Sequence, residues 1–271
     1  METISFPGKI RSRAPLFGGW TSLGHPSITE IFVRGGFDFI GIDMEHSTIS
    51  QEQAQRIIAA AHSSGTACLP RPSSPQAESE IRQLLDSGAD GVIIPDISTT
   101  AQVGKLIEWS KYPPVGKRSY GVARAHGYGF NFDRYVSTWN ERSTLIIQIE
   151  SISAVEMVDQ LLSIPEVDGV MVGPYDLSGS LGIPGQLSHP KVTEACRKVI
   201  AACRRAQRGC GTQAVDPTPE NVNEAFEMGY TFVVLASDVF TLWKWSERMQ
   251  SLMRKFRQAA AWPVGAGGRN A

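Results

Sequence analysis

Two carboxylates stand where neighbouring strands of a parallel sheet would end. Glu150 closes the apolar run TLIIQIE, and Asp176 follows the run GVMV in the segment GPYDLS, 26 residues later. Because adjacent strands lie about 5 Å apart, the two side chains could share one cation. An ion held by oxygen donors alone would be hard, Mg²⁺ or Mn²⁺. In the alternative interpretation each is a solvated loop acid, or Asp176 caps a turn.

A histidine and an arginine end two further runs, 25 residues apart. His46 follows Asp43 and Glu45 after the run FIGI, and Arg71 follows the run ACLP. A neutral imidazole can act as a base near pH 7 when a carboxylate orients it, and Asp43, Glu45 and Asp86 are the candidates for that carboxylate. The guanidinium of Arg71 could bind an oxyanion or a carboxylate. The alternatives are a structural His46 bonded to backbone and an Arg71 in a salt bridge at the rim.

Asp86 lies near the end of a predicted helix, where an acid opposes the helix dipole. This unfavourable placement suggests a charged partner, and a solvated surface acid is the alternative.

The elements that must position these residues alternate regularly along the chain. Strands are predicted over 16–21, 37–43, 67–71, 91–95, 144–150, 169–172, 209–214 and 231–236. Helices are predicted over 26–34, 51–63, 76–87, 99–111, 154–162, 190–207, 219–228 and 238–258. Strict alternation favours parallel strands with crossover helices. Eight such units in 271 residues favour a TIM (β/α)8 barrel, in which reacting groups sit at the carboxyl ends of the strands. A doubly wound open sheet is the alternative, but no GxGxxG follows the first strand.

We expect one barrel domain over residues 1–258, including the C-terminal helix 238–258, and a flexible tail over 259–271. The segment 112–142 interrupts the alternation and is rich in glycine, arginine and aromatic residues. Long loops inside compact domains are usually functional or disordered. We interpret this segment as a loop on the substrate side, where Arg124, His126, Tyr128 and Tyr135 could affect the choice of substrate.

The composition excludes several classes of protein. Lys and Arg number 26 against 27 Asp and Glu, a net charge of −1, which argues against binding to nucleic acid or to a membrane surface. Four cysteines are too few for a disulfide scaffold. No run approaches 18 apolar residues and no signal peptide is visible, so a cytoplasmic protein is expected.

Several segments in combination resemble the HpcH/HpaI aldolase family, also called the citrate lyase β-like family. They are GFDFIGIDMEHSTIS, RPSSPQAESEIRQLLDSGADGVIIP, YPPVGKRSYG, LIIQIES and VDGVMVGPYDLSGSLG, and the resemblance covers about residues 16–257. It is strongest to aldolases that act on 4-hydroxy-2-oxoheptanedioate or 2-dehydro-3-deoxyglucarate. The resemblance implies a TIM barrel of the phosphoenolpyruvate/pyruvate type. It also implies a homo-oligomer, a hexamer or trimer of dimers, that exchanges its last helix, here 238–258.

The resemblance also assigns roles to individual residues. It implies a Mg²⁺, Mn²⁺ or Co²⁺ ion held by Glu150 and Asp176, a base at His46, and an acid at Asp86 that raises the basicity of His46. The remaining assignments are Arg71 as the group that stabilises the transition state and binds substrate, and pyruvate contacts from Gln148 and from the backbone of Tyr175 and Asp176. The position of Tyr175 often holds a small residue in these aldolases, so its phenol could change which aldehyde fits.

The implied activity is that of a metal-dependent, class II aldolase. Such an enzyme cleaves or forms 4-hydroxy-2-oxo acids, giving pyruvate and an aldehyde through a metal-bound pyruvate enolate. No lysine ends a predicted strand, which disfavours a Schiff-base mechanism. The alternative on the same site is oxaloacetate decarboxylation, or a reaction like that of macrophomate synthase. A barrel that only binds a 2-keto acid, or an acyl-CoA enzyme of the citrate lyase type, is less favoured.

Overall fold

Eight parallel strands form a single sheet in the computed structural model, which describes residues 5–259. The strands are β1 Leu16–Thr21, β2 Phe39–Asp43, β3 Ala67–Arg71, β4 Gly91–Ile94, β5 Thr144–Ile149, β6 Gly169–Val172, β7 Gly209–Ala214 and β8 Phe232–Leu235. Their order in the sheet is β3-β2-β1-β8-β7-β6-β5-β4. Each strand was predicted from the sequence, with ends that differ by at most two residues.

The first and last strands of the sheet, β3 and β4, lie side by side, so the sheet nearly closes into a barrel. The amide of Asp90, just before β4, donates to the carbonyl of Cys68 in β3 at 2.9 Å. The Asp90 carboxylate accepts from the amide of Cys68 at 2.8 Å. The predicted TIM barrel is therefore confirmed.

Helices surround the barrel and follow the predicted alternation. They are α1 Phe6–Ser12, α2 Pro26–Arg34, α3 Gln51–His62, α4 Glu78–Asp86, α5 Thr100–Ser110, α6 Phe132–Arg142, α7 Ile152–Leu162, α8 Pro174–Ser180, α9 Pro190–Ala206, α10 Pro219–Met228 and α11 Asp238–Ala259. The predicted tail 259–271 lies, apart from Ala259, outside the described residues. Between residues 5 and 259, no helix is long and apolar enough to cross a membrane.

The sequence did not predict α1, α6 or α8. The interpretation of 112–142 as one long loop holds only for residues 112–123, because a 3₁₀ helix spans Arg124–Gly129 and α6 spans Phe132–Arg142. No side chain caps the start of α6, so the usual capping signal is missing from the sequence. The helix is instead stabilised by the burial of Tyr135 and Trp139, which lie on one face at a spacing of four residues.

The inside of the barrel is packed with aromatic and aliphatic side chains. Ile10 of α1 closes the amino-terminal end and joins Trp20, Phe39 and Phe232 in one buried cluster. The rings need glycine on the facing strand: a Cβ on Gly211 would lie 1.9 Å from the Phe232 ring. A larger cluster fills the space between the strands and the helices. The four cysteines are buried and unpaired, in keeping with the absence of a disulfide scaffold.

Candidate active site

Arg71, the last residue of β3, is held from several sides at the carboxyl end of the barrel. Its Nη2 and Nε donate to Asp43 Oδ1 at 2.8 and 3.2 Å. Its Nη1 lies 3.0 Å from Glu45 Oε2, and only 11% of the side chain is exposed. The guanidinium lies over the Trp20 ring, 5.1 Å from its centre. This is a fixed positive charge within the mouth of the barrel, and not a salt bridge on its rim.

Asp43, the last residue of β2, shapes the turn that carries the candidate base. Its Oδ1 accepts the amides of Glu45 and His46, each at 3.1 Å. Burial raises the pKa of Asp43, but the charge of Arg71 and the hydrogen bond from the His46 amide outweigh it, and the pKa is lowered. Asp43 therefore stays ionised and holds both Arg71 and the turn in place.

Glu150, just after β5, is fixed by hydrogen bonds to both carboxylate oxygens. Its Oε1 accepts from Gln148 Nε2 at 2.8 Å, and its Oε2 accepts from the amide of Asp96 at 3.0 Å. Gln148 Oε1 in turn lies 3.5 Å from Arg71 Nη1. Asp96 has a φ of +47°, a left-handed conformation that an aspartate tolerates better than most residues. The left-handed turn after β4 thus points the amide N–H of Asp96 toward the Glu150 carboxylate.

The environment of Glu150 opposes its negative charge. Burial is the main cause, and the nearby carboxylates of Asp176 and Glu45 add to it; the Asp96 amide and Arg71 act in the opposite sense. Together they raise the pKa of Glu150 to about 7. A bound cation would stabilise the ionised form of such a buried carboxylate.

Asp176 lies in the first turn of α8 and faces the same space as Glu150. A Cβ placed on Gly173 would lie 3.1 Å from Glu150 Oε1 and 3.4 Å from Asp176 Oδ2, so the two carboxylates flank one point. Among residues 5–259, no group of three or more His, Cys, Asp or Glu side chains forms a metal centre. The donor set, two carboxylates with the other positions open, nevertheless fits a hard divalent cation that keeps water ligands.

His46 and Asp86, the predicted base and its acid, are not brought together within the chain. The His46 side chain is 71% exposed, and its Nε2 lies 3.7 Å from Glu45 Oε2. Asp86 instead binds Arg118, whose Nη2 lies 2.6 Å from Asp86 Oδ1. Asp86 at the end of α4 thus has the charged partner that its position suggested, and Glu45 is the acid nearest to His46.

Arg118 is enclosed by aromatic rings from the segment that the sequence presented as a loop. Its guanidinium carbon lies 4.8 Å from the Tyr112 ring centre, 4.7 Å from that of Trp139 and 5.7 Å from that of Tyr135. His126 is fully buried, and its Nε2 lies 3.0 Å from the Tyr112 hydroxyl. The expectation that His126 and Tyr135 approach substrate is wrong, because both side chains pack in this cluster.

The other two predicted positions of that segment differ from each other. Arg124 donates from Nη1 to the Ser87 carbonyl at 2.9 Å, at the end of α4. Tyr128 is exposed. Tyr175, next to Asp176, is 64% exposed, and its hydroxyl lies 3.6 Å from where a Cβ on Gly185 would stand. The phenol therefore lies against the turn after α8.

Two residues of the site, Trp20 and Asp96, are not predicted by the sequence. Trp20 lies in β1 and could have been noticed as an aromatic residue near a strand end. Asp96 acts through its backbone amide, and no feature of its side chain indicates that role.

An eight-stranded parallel barrel with clustered carboxylates and an arginine at the carboxyl ends of its strands belongs to the class of TIM-barrel enzymes. The particular family follows from comparison with known proteins. The model of the HpcH/HpaI aldolase/citrate lyase family matches residues 16–244, and the chain belongs to that family.

Similar proteins carry related names. A hydroxypyruvate/pyruvate aldolase of Paraburkholderia phytofirmans is 33% identical over 262 residues, covering 93% of this chain and 98% of that protein. A 2-keto-3-deoxy-L-rhamnonate aldolase of Salmonella typhi is 32% identical over 256 residues, covering 93% and 92%. The crystal structure of a family member from Burkholderia cenocepacia J2315 superposes with a TM-score of 0.86 at 29% identity, covering 93% of this chain and 100% of that one. The protein is thus a carbon–carbon lyase with aldolase function.

Proposed function

We propose that the protein is a class II pyruvate aldolase that cleaves or forms 4-hydroxy-2-oxo acids, with pyruvate and an aldehyde as the other partners. The observation that carries the proposal is the pair of carboxylates, Glu150 and Asp176, flanking one point beside the fixed guanidinium of Arg71. The relatives' names support the substrate class, because hydroxypyruvate, pyruvate and 2-keto-3-deoxy-L-rhamnonate are all 2-keto acids.

Glu150 and Asp176 would hold a divalent cation, Mg²⁺, Mn²⁺ or Co²⁺. When bound, such an ion supplies Lewis-acid charge that acidifies the protons beside a keto group. Gln148 fixes the Glu150 carboxylate through its 2.8 Å hydrogen bond. The amide of Asp96 holds the other oxygen, so the orientation of this ligand is set before any ion arrives.

Arg71 would bind the substrate and stabilise the negative charge that develops on its keto oxygen. Asp43 and Trp20 limit the movement of the guanidinium, so little reorganisation is needed as that charge forms. The amides of Tyr175 and Asp176 would bind the substrate carboxylate. They belong to the first turn of α8, where amides have no partner within the helix.

His46 would act as the base. In the cleavage direction it removes the proton of the 4-hydroxyl group through a water molecule, and the bond between C3 and C4 then breaks. Glu45, with its Oε2 3.7 Å from His46 Nε2, would stabilise the resulting imidazolium. The resemblance gives that role to Asp86, whose carboxylate here binds Arg118. Lys111, the most buried lysine near a strand, donates to Ser143 and Asn140 and is no candidate for a Schiff base.

The test is pyruvate release from a 4-hydroxy-2-oxo acid by protein stripped with EDTA, before and after adding Mg²⁺, Mn²⁺ or Co²⁺. We expect activity only with metal. Activity that survives complete chelation would contradict the metal assignment, and no pyruvate with any metal would contradict the aldolase. Oxaloacetate decarboxylation is measured in parallel, and a faster rate there would favour the alternative reaction.

Calorimetry with Mn²⁺ tests the ligands without using activity. Glu150→Gln should lose Mn²⁺ binding, while Glu156→Gln, an exposed acid on α7, should retain it. Equal binding by the two variants would remove Glu150 from the metal site.

We also propose a homo-oligomer, a hexamer or trimer of dimers, in which α11 packs on a neighbouring copy. Over its 22 residues this helix leaves large apolar side chains exposed, between 47% and 66% for Leu242, Trp245, Leu252, Met253 and Phe256. An apolar surface of this kind is typical of an interface. Light scattering should give a multimer, and Trp245→Glu should reduce its mass; a monomeric wild-type protein would refute the assembly.

A further inference from the structure

Asp238, the first residue of α11, is buried and fastens the turn between β1 and α2. Its Oδ2 accepts from the hydroxyl of Thr21 at 2.7 Å and from the amide of Leu23 at 2.9 Å. Its Oδ1 accepts from the amide of Ser22 at 2.9 Å. Only 3% of Asp238 is exposed. The carboxyl end of β1 is therefore tied to the start of the last helix.

The same turn supports the charged pair in the active site. The Ser22 hydroxyl donates to Asp43 Oδ2 at 3.4 Å, while Asp43 Oδ1 holds Arg71 at 2.8 Å. Trp20, two residues before Ser22, lies under the guanidinium at 5.1 Å. The end of β1 thus contacts Arg71 directly through a ring and indirectly through Asp43.

We propose that Asp238 is a positioning residue that sets the place of the Arg71 guanidinium through Ser22, Asp43 and Trp20. The proposal rests on the role proposed above for Arg71. In Asp238→Asn one carboxylate oxygen becomes an NH2 donor, so the amide of Ser22 or of Leu23 loses its acceptor and the turn must move to reach water. The hydroxyl of Thr21 can still donate to the Leu23 carbonyl, at 3.2 Å. Displacement of a group that binds the transition state by about 1 Å can lower the rate by about 100-fold.

The competing interpretation is that Asp238 only stabilises the fold. A carboxylate in the first turn of a helix interacts favourably with the helix dipole. If that is its only role, loss of the Asp238 carboxylate lowers the melting temperature and leaves kcat of the folded variant unchanged. Asp38, the residue just before β2, provides a matched control because its carboxylate also binds a backbone amide of β1. Its Oδ2 accepts from the amide of Phe17 at 2.9 Å, at the opposite end of β1 and away from Arg71.

The experiment compares Asp238→Asn, Ser22→Ala and Asp38→Asn in the metal-loaded full chain. We expect kcat for cleavage of a 4-hydroxy-2-oxo acid to fall about 10-fold or more for Asp238→Asn and about 2-fold to 5-fold for Ser22→Ala, which loses one long hydrogen bond. Asp38→Asn should change the melting temperature and leave kcat within twofold. Ser22→Ala decides the question if Asp238→Asn does not fold.

Two kinetic results would overturn the proposal: wild-type kcat for Ser22→Ala, or an equal loss of kcat for Asp38→Asn and Asp238→Asn at equal loss of stability. Crystal structures of the variants give a measure that needs no activity. The Arg71–Asp43 pair should open from 2.8 Å in Asp238→Asn and persist in Asp38→Asn, and an unchanged pair in both refutes the coupling. An inactive wild-type protein would refute the proposed function instead.

Discussion

The substitution Asp86→Asn tests whether Asp86 stabilises the fold through Arg118 or supports catalysis through His46. The substitution leaves the Arg118 guanidinium, 1% exposed, without its only carboxylate neighbour within salt-bridge distance in the described chain. Breaking a buried ion pair by removing one partner costs about 3–5 kcal/mol. Because Asp86 is itself 33% exposed, water screens part of the interaction, and we expect a loss of about 2–3 kcal/mol. At about 2–4 °C per kcal/mol, the melting temperature should fall by about 4–12 °C.

The matched control is Asp159→Asn, which breaks a pair of the same length on the surface. Arg205 Nη2 lies 2.6 Å from Asp159 Oδ1, and both side chains are more than 60% exposed. This loss should be below about 1 kcal/mol. Thermal unfolding is measured at one protein concentration for all variants, and kcat is measured well below each melting temperature. A stability loss for Asp86→Asn no larger than that of the control would refute the structural reasoning. A drop in kcat for folded Asp86→Asn would instead support a contribution to His46.

The pKa of Glu150 is about 7 in the folded, metal-free protein, against an ordinary value of 4.5. Between pH 4.5 and 7 the folded state therefore binds more protons than the unfolded state, so the free energy of unfolding falls as the pH rises. Thermal unfolding in EDTA should show this slope for the wild type, and an equal slope for Glu150→Gln would contradict it. Oxalate, an analogue of the 2-keto acid, should bind only after Mn²⁺ is added, and calorimetric binding in EDTA would contradict that order. Asp43→Asn should weaken oxalate binding by about 10-fold or more, since a hydrogen bond to a charged group is worth about 1.5–3 kcal/mol; unchanged affinity would show that Asp43 does not hold Arg71.

The sequence predicted the barrel because the features that define it are local. Buried strands are apolar runs, and the start of α3 is marked by Ser50 and Gln53, which form a capping box. The elements that the sequence did not predict depend on contacts between residues that are distant in the chain. Helix α6 begins without a side-chain cap, and its stability comes from packing around Arg118, a contact between residues far apart in the chain.

The same distinction explains which parts of the candidate site were predictable. Residues at strand ends, such as Arg71 and Glu150, could be placed because parallel strands bring their carboxyl ends together. The hydrogen bonds between them could not. The partner of Asp86 turned out to be Arg118, 32 residues away, and the donor to Glu150 is a backbone amide whose direction depends on the left-handed φ of Asp96.

The charge of the mouth gives the strongest physical argument for a cation. Asp43, Glu45, Glu150 and Asp176 face a single guanidinium, so Arg71 cannot balance the acids around it. Burial raises the pKa values of both Glu45 and Glu150, which shows that their charges are poorly compensated. A 2-keto acid would bring one more negative charge to this place and would be repelled. A divalent cation between Glu150 and Asp176 would offset two of these negative charges and would offer the substrate a direct ligand, so acids that oppose the free substrate would serve to hold the ion that binds it.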